Sequence, residues 1–75
     1  MIRSSGEVAV EIIVNGETTR VDEGLTLLEL LRRRGLTPDV VVVERNLGIV
    51  PAGTFADVRL EAGDSLEILH FVGGG

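Results

Sequence analysis

The sequence contains no cysteine, no lysine, no tryptophan and no tyrosine, and a single histidine. Without cysteine there is no disulfide, thiolate nucleophile or thiolate zinc site. Without lysine there is no Schiff base, no P-loop lysine and no lysine-linked chain of copies, and every one of the seven cations is arginine. His70 alone cannot assemble a nucleophile–base set or a metal cluster, so a self-sufficient enzyme is not expected. No apolar run approaches the roughly 20 residues of a membrane span. The opening "MIRSSGE" lacks the apolar stretch of a secretory signal. A soluble, cytoplasmic protein is the expectation. The net charge of −5 argues against binding nucleic acid through phosphates and for partners with basic surfaces.

What is present is aliphatic. Of 75 residues, 44% are hydrophobic and only two are aromatic, both Phe, so one small core must be built from Val, Leu and Ile. In "VAVEIIVNGETTRV" the apolar residues Val8, Val10, Ile12 and Val14 recur at strand period. Asn15-Gly16 then suits a two-residue hairpin turn, with a return strand over Glu17–Val21. "LTLLELLRRRGL" predicts a helix from about Leu27 to Arg34. Thr26 and Glu29 stand at capping-box spacing, Leu25 and Leu30 at staple positions, and Gly35 ends the helix. Arg32, Arg33 and Arg34 sit favourably at its negative end.

"DVVVVERN" reads as a strand apolar on both faces, Asn46 to Gly48 as a turn, and Ile49-Val50 as a short strand closed by Pro51. Phe55, Val58 and Leu60 are expected to drop into the core from an irregular stretch. "EAGD" turns the chain into a final strand, Ser65 to Val72. The predicted class is α+β, a mixed sheet of four or five strands with one main helix on one face. Residues 1–7 are read as a flexible lead-in, 8–72 as the domain and 73–75 as a flexible tail. In the last strand Leu66 and Ile68 alternate with Leu69 and Phe71, which leaves one apolar face without a helix to cover it. That face is a candidate partner surface.

Adjacent acids such as Asp22 and Glu23 read as solvated turn charge, and Glu61, Asp64 and Glu67 as a cluster that could guide encounter with a basic partner. The glycines of the closing "HFVGGG" need no side chain to be useful. A terminal carboxylate becomes an acyl donor once it attacks the α-phosphate of ATP to give an acyl-adenylate, from which a nucleophile displaces AMP. Three glycines make a thin extended lead, roughly 10 Å long, able to follow a narrow channel into another protein's site.

The "VNGE" hairpin, the "TLLELL" helix, "IVP", the "GD" turn and the closing "HFVGGG", in that order, resemble the ubiquitin-like β-grasp sulfur carriers of the ThiS/MoaD superfamily, and most closely its ThiS family. The resemblance runs from about Val10 to Gly75, with Asn46-Leu47-Gly48 in place of the commoner Asn-Gly turn before "IVP". It implies a carrier of thiamine biosynthesis, not an enzyme. The Gly75 carboxylate would be adenylated by a ThiF-like, ubiquitin-activating-type enzyme using ATP and magnesium. It would then be converted to a thiocarboxylate with sulfur from a cysteine desulfurase or rhodanese-type donor, and would deliver that sulfur to a ThiG-like thiazole synthase. By position, Gly74 and Gly75 are the functional pair, Gly73 extends the tail, and Leu69, Phe71 and Val72 belong to the docking surface beside it. A molybdopterin-synthase small subunit and a tRNA-thiolation carrier share the mechanism. A protein modifier joined through Gly75, or a passive interaction domain, are the readings from other classes.

Overall fold

A computed structural model describes residues 8–71 of the chain. The expected lead-in, residues 1–7, the tail, residues 73–75, and Val72 lie outside the described residues.

Strand β1, Ala9–Val14, and strand β2, Glu17–Asp22, form the expected antiparallel hairpin, with Ala9 opposite Asp22 and Val14 opposite Glu17. Asn15 and Gly16 both take positive φ, 51° and 84°, the backbone that lets a two-residue turn follow the twist of its strands. Helix α1, Leu27–Arg33, starts at the predicted capping box. The Glu29 N–H donates to Thr26 Oγ1 (3.1 Å) and the Thr26 N–H donates to Glu29 Oε1 (3.0 Å). Leu25 and Leu30, on either side of that cap, are both buried. At the other end Gly35, at φ 76°, donates its N–H to Arg32 O. Leu36 N–H reaches back to Leu31 O, which is a Schellman closure.

Strand β3, Val41–Arg45, pairs with strand β4, Gly48–Val50, and with strand β5, Ser65–His70. β1 runs parallel to β5, giving a five-stranded sheet in the order β2-β1-β5-β3-β4. The last strand, β5, thus lies in the centre of the sheet, between β1 and β3. Ile12, Val14, Leu66, Ile68, Val41 and Val43 face α1, and with Leu27, Leu30, Leu31, Phe55 and Leu60 they form the core. No helix among the described residues is long and apolar enough to cross a membrane.

Three boundaries differ from the sequence reading. Pro38–Val40 is a turn of 3-10 helix, so the run of four valines enters the sheet only at Val41. The fixed φ of Pro38 suits the first position of such a turn. The stretch expected to be irregular contains a second 3-10 helix, Ala52–Asp57, which lays Phe55 into the core against α1. Strand β5 stops at His70, although the Phe71 N–H still donates to Val40 O (2.8 Å).

Candidate functional site

Strand parity decides which residues meet on the face that α1 leaves open. On β5 the inward residues are Leu66 and Ile68, so Ser65, Glu67 and Leu69 point the other way. Leu69 stands opposite Val42, and Glu67 opposite Glu44, which in turn faces Ile49 of β4. Leu69 is 53% exposed, Phe71 55% and Ile49 63%, so this face leaves large apolar side chains open to solvent. The structure therefore brings Leu69 and Phe71 together at the outgoing end of the central strand, as expected, and adds Ile49 and Val42 to them. Val72, Gly73, Gly74 and Gly75 follow directly in sequence but lie outside the described residues. His70 is on the opposite side from Phe71 and is exposed.

Two asparagines hold β5 in place from its two sides. The parallel ladder between β1 and β5 is short, pairing Ile13 with Ser65 and Val14 with Leu66. Where β1 turns away, the Asn15 side chain continues the ladder. The Ile68 N–H donates to Asn15 Oδ1 (2.7 Å), and Asn15 Nδ2 donates to Ile68 O (3.2 Å). On the other side Asn46, also at φ 51°, accepts the Ser65 N–H on its Oδ1 (2.9 Å). Each hairpin turn thus spends its asparagine twice, once on positive φ and once on the strand that leads to the tail.

Asp64 is a correction to the sequence reading, which grouped it with Glu61 and Glu67 as surface charge. It is only 5% exposed and is the hub of a polar network. Arg45 Nε (3.0 Å) and the Glu61 N–H (2.9 Å) donate to its Oδ2, Asn46 Nδ2 donates to its Oδ1 (3.1 Å), and Arg45 Nη2, which donates to Arg59 O (3.1 Å), completes the ion pair at 2.9 Å from Oδ2. Burial pushes the Asp64 carboxyl up. The Glu61 N–H, the Asn46 amide and the Arg45 guanidinium outweigh burial and hold it below the usual carboxylate range. The network ties the β3–β4 turn to the turn that starts β5. Its only sequence signal was an Asp following Gly63 at the mouth of a strand, which is also the signature of an ordinary turn.

No other chemistry competes for the assignment among the described residues. A shallow cleft lined by Val10, Gly24, Arg59 and Leu60 lies at the end of the sheet away from Phe71. Its Arg59 guanidinium donates to Gly24 O (2.9 Å) and is flanked by Glu23 and Glu61, an arrangement that does not invite an anion. No group of three or more His, Asp or Glu residues among the described residues is placed to hold a metal ion.

Comparison with known proteins agrees with this geometry. The model of the ThiS family matches residues 8–75. The chain is 42% identical over 66 residues to a thiazole synthase of Magnetococcus marinus, covering 88% of this chain and 20% of that protein. It thus spans about a fifth of the length of that synthase. It is also 42% identical over 50 residues to the sulfur carrier protein ThiS of Bacillus subtilis, covering 67% of this chain and 76% of that one. The crystal structure of the thiamine biosynthesis protein ThiS from Geobacter metallireducens superposes with a TM-score of 0.73 at 33% identity. That superposition covers 88% of this chain and all of the other. The fold is accordingly the β-grasp that the ordered motifs led us to expect. With the family match running from the first described strand through the glycine tail, this chain belongs to the ThiS family.

Proposed function

We propose that the chain is a sulfur carrier for thiazole formation in thiamine biosynthesis, working through the carboxylate of Gly75. The observation that supports this best is the ThiS-family match over residues 8–75, which includes Gly73, Gly74 and Gly75 as well as the folded domain. The carboxylate attacks the α-phosphate of ATP in a ubiquitin-activating-type enzyme that uses magnesium, and pyrophosphate leaves. A persulfide from a cysteine desulfurase or rhodanese-type donor then attacks the acyl carbon and displaces AMP. A second thiol cleaves the resulting S–S bond and leaves a thiocarboxylate. Its sulfur is ionised at neutral pH and more nucleophilic than carboxylate oxygen, so it can attack an electrophilic substrate in the acceptor enzyme.

The acceptor in this reading is a thiazole synthase, supported by the similarity of the chain to a fifth of proteins that bear that name. The domain itself supplies delivery and docking, through Leu69, Phe71 and Val72, and leaves catalysis to its partners. ATP and magnesium belong to the activating enzyme and not to this chain.

The test is C-terminal-fragment mass spectrometry after incubation with a ubiquitin-activating-type enzyme, ATP, magnesium and a sulfur donor. Fragments are required because oxidation of Met1 adds almost the mass gained when sulfur replaces oxygen. Sulfur localised to Gly75, and absent when Gly74 and Gly75 are deleted from an otherwise folded chain, is the expected result. A Gly75 that stays unmodified with cognate enzymes overturns the proposal.

A further inference from the structure

Two hydrogen-bonded contacts, one on each side, set the way β5 leaves the sheet. The Asn46 N–H donates to Ser65 O and the Phe71 N–H to Val40 O. By the alternation of an antiparallel ladder, the backbones of Ser65, Glu67, Leu69 and Phe71 therefore face β3. Those of Leu66, Ile68 and His70 face β1. There the Asn15 N–H donates to Leu66 O (2.8 Å), and the ladder of paired residues stops at Leu66. The Asn15 amide adds one more step by taking both backbone polar groups of Ile68. Among the described residues it makes the last hydrogen bonds to β5 on that side, as Phe71 to Val40 is the last on the other.

The hairpin turn alone does not require this amide. Positive φ at the first position of a two-residue turn is met by Gly or Asp as well as by Asn. An aspartate there could accept from the Ile68 N–H but would set a carboxylate oxygen against Ile68 O, and a glycine could do neither. Of the three, only asparagine carries a donor and an acceptor on one planar group, and so can hold Ile68 as a further residue of β1 would. Ile68 is itself buried, and the residues after it lead on to Gly75. Without the clamp, the outgoing end of β5 is held from β3 alone.

We infer that Asn15 is a positioning residue for the adenylation of Gly75. By clamping Ile68 it fixes the line along which β5 leaves the sheet, and with it the direction in which the carboxylate is presented to the activating enzyme. Pre-organisation of this kind lowers the ordering cost of binding. A carrier whose strand end samples several directions binds as if only its competent fraction were present. Asn15 acts through Ile68 and not on the reacting atoms, so its loss should appear in KM and not in kcat. The inference rests on the carrier reading and concerns the adenylation step alone.

The test is ATP–pyrophosphate exchange by the cognate ubiquitin-activating-type enzyme, with the full chain as the varied substrate, at a temperature where circular dichroism shows each variant folded. Asn15→Gly keeps the turn and removes the clamp, and should raise KM on the order of 10-fold with kcat close to that of the parent. Asn15→Asp keeps one of the two hydrogen bonds and should fall between, measured in raised salt so that its added charge is screened. It also carries the test if the glycine variant does not fold. Thr26→Ala, which loses a similar amount of stability at the start of α1, should keep the KM of the parent. Asn15 variants with the parent's KM, or a rise that Thr26→Ala shares, would overturn the inference and leave the carrier reading standing. So would a fall in kcat at unchanged KM. A parent chain that supports no exchange would remove the carrier reading, and the inference with it.

Discussion

Replacing Asp64 by Asn leaves the shape of the side chain almost unchanged and removes the charge at the centre of the β3–β4–β5 network. In the parent protein that carboxylate accepts from Arg45 Nε, Asn46 Nδ2 and the Glu61 N–H, and stands 2.9 Å from Arg45 Nη2 as an ion pair. With one oxygen in place of two, an amide cannot accept from all three, and its own NH2 would face a donor. Hydrogen bonds to a charged group are worth about 1.5–3 kcal/mol net, and unsatisfied buried groups cost about 1–3 kcal/mol. The Arg45 side chain keeps 27% of its exposure and recovers part of its loss from water, so we place the total at about 2–3 kcal/mol. For a domain of this size that is a fall in Tm of about 10–20 °C.

The pH dependence gives the sharper test. The folded pKa of Asp64 lies below its ordinary value of 3.8, so the stabilisation is complete above that value and is lost as pH falls through the folded pKa. Urea titrations of the parent and D64N should therefore show a constant gap above about pH 5 that narrows steadily in stronger acid. A gap that is absent at neutral pH would refute the network as a source of stability. One that persists undiminished in acid would refute the charge as its cause.

Three further expectations follow from particular contacts. Asn15→Gly keeps the positive φ of the hairpin but deletes the two hydrogen bonds to Ile68, and should cost about 1–2 kcal/mol in urea with the hairpin intact by NMR; no loss would show that the clamp is not stabilising. Leu47 holds φ 76° and is 94% exposed, so Leu47→Gly relieves a left-handed backbone without losing burial. It should stabilise by up to about 1 kcal/mol after the added freedom of the unfolded chain is counted, and a destabilised variant would mean that the leucine packs after all. Thr26→Ala removes the acceptor of the Glu29 N–H and should cost about 1 kcal/mol, with reduced helical ellipticity near the Tm; an unchanged Tm would remove the cap from the account.

The local elements were legible in the sequence because each is specified by near neighbours. The Asn15-Gly16 turn, the Thr26/Glu29 capping box and the Gly35 stop depend on φ preferences and hydrogen bonds spanning a few residues, and all three stand where the residue types put them. The alternation of Leu66 and Ile68 with Leu69 and Phe71 similarly placed the last two on the open face, since strand parity needs no tertiary information. The ordered motifs also carried the family, because each of them is a local signature.

What the tertiary structure decided was pairing across distance. The sequence cannot show that β5 lies between β1 and β3, and on that placement depend the Asn15–Ile68 clamp, 53 residues apart, and the opposition of Glu44 to Glu67. Asp64 illustrates the same division. Its residue type reads as turn charge, and only the arrival of Arg45 and Asn46 from another hairpin turns it into a buried anion. Composition and local spacing set which elements form. The register in which distant strands meet determines which charges are satisfied within the domain and which are left facing outward.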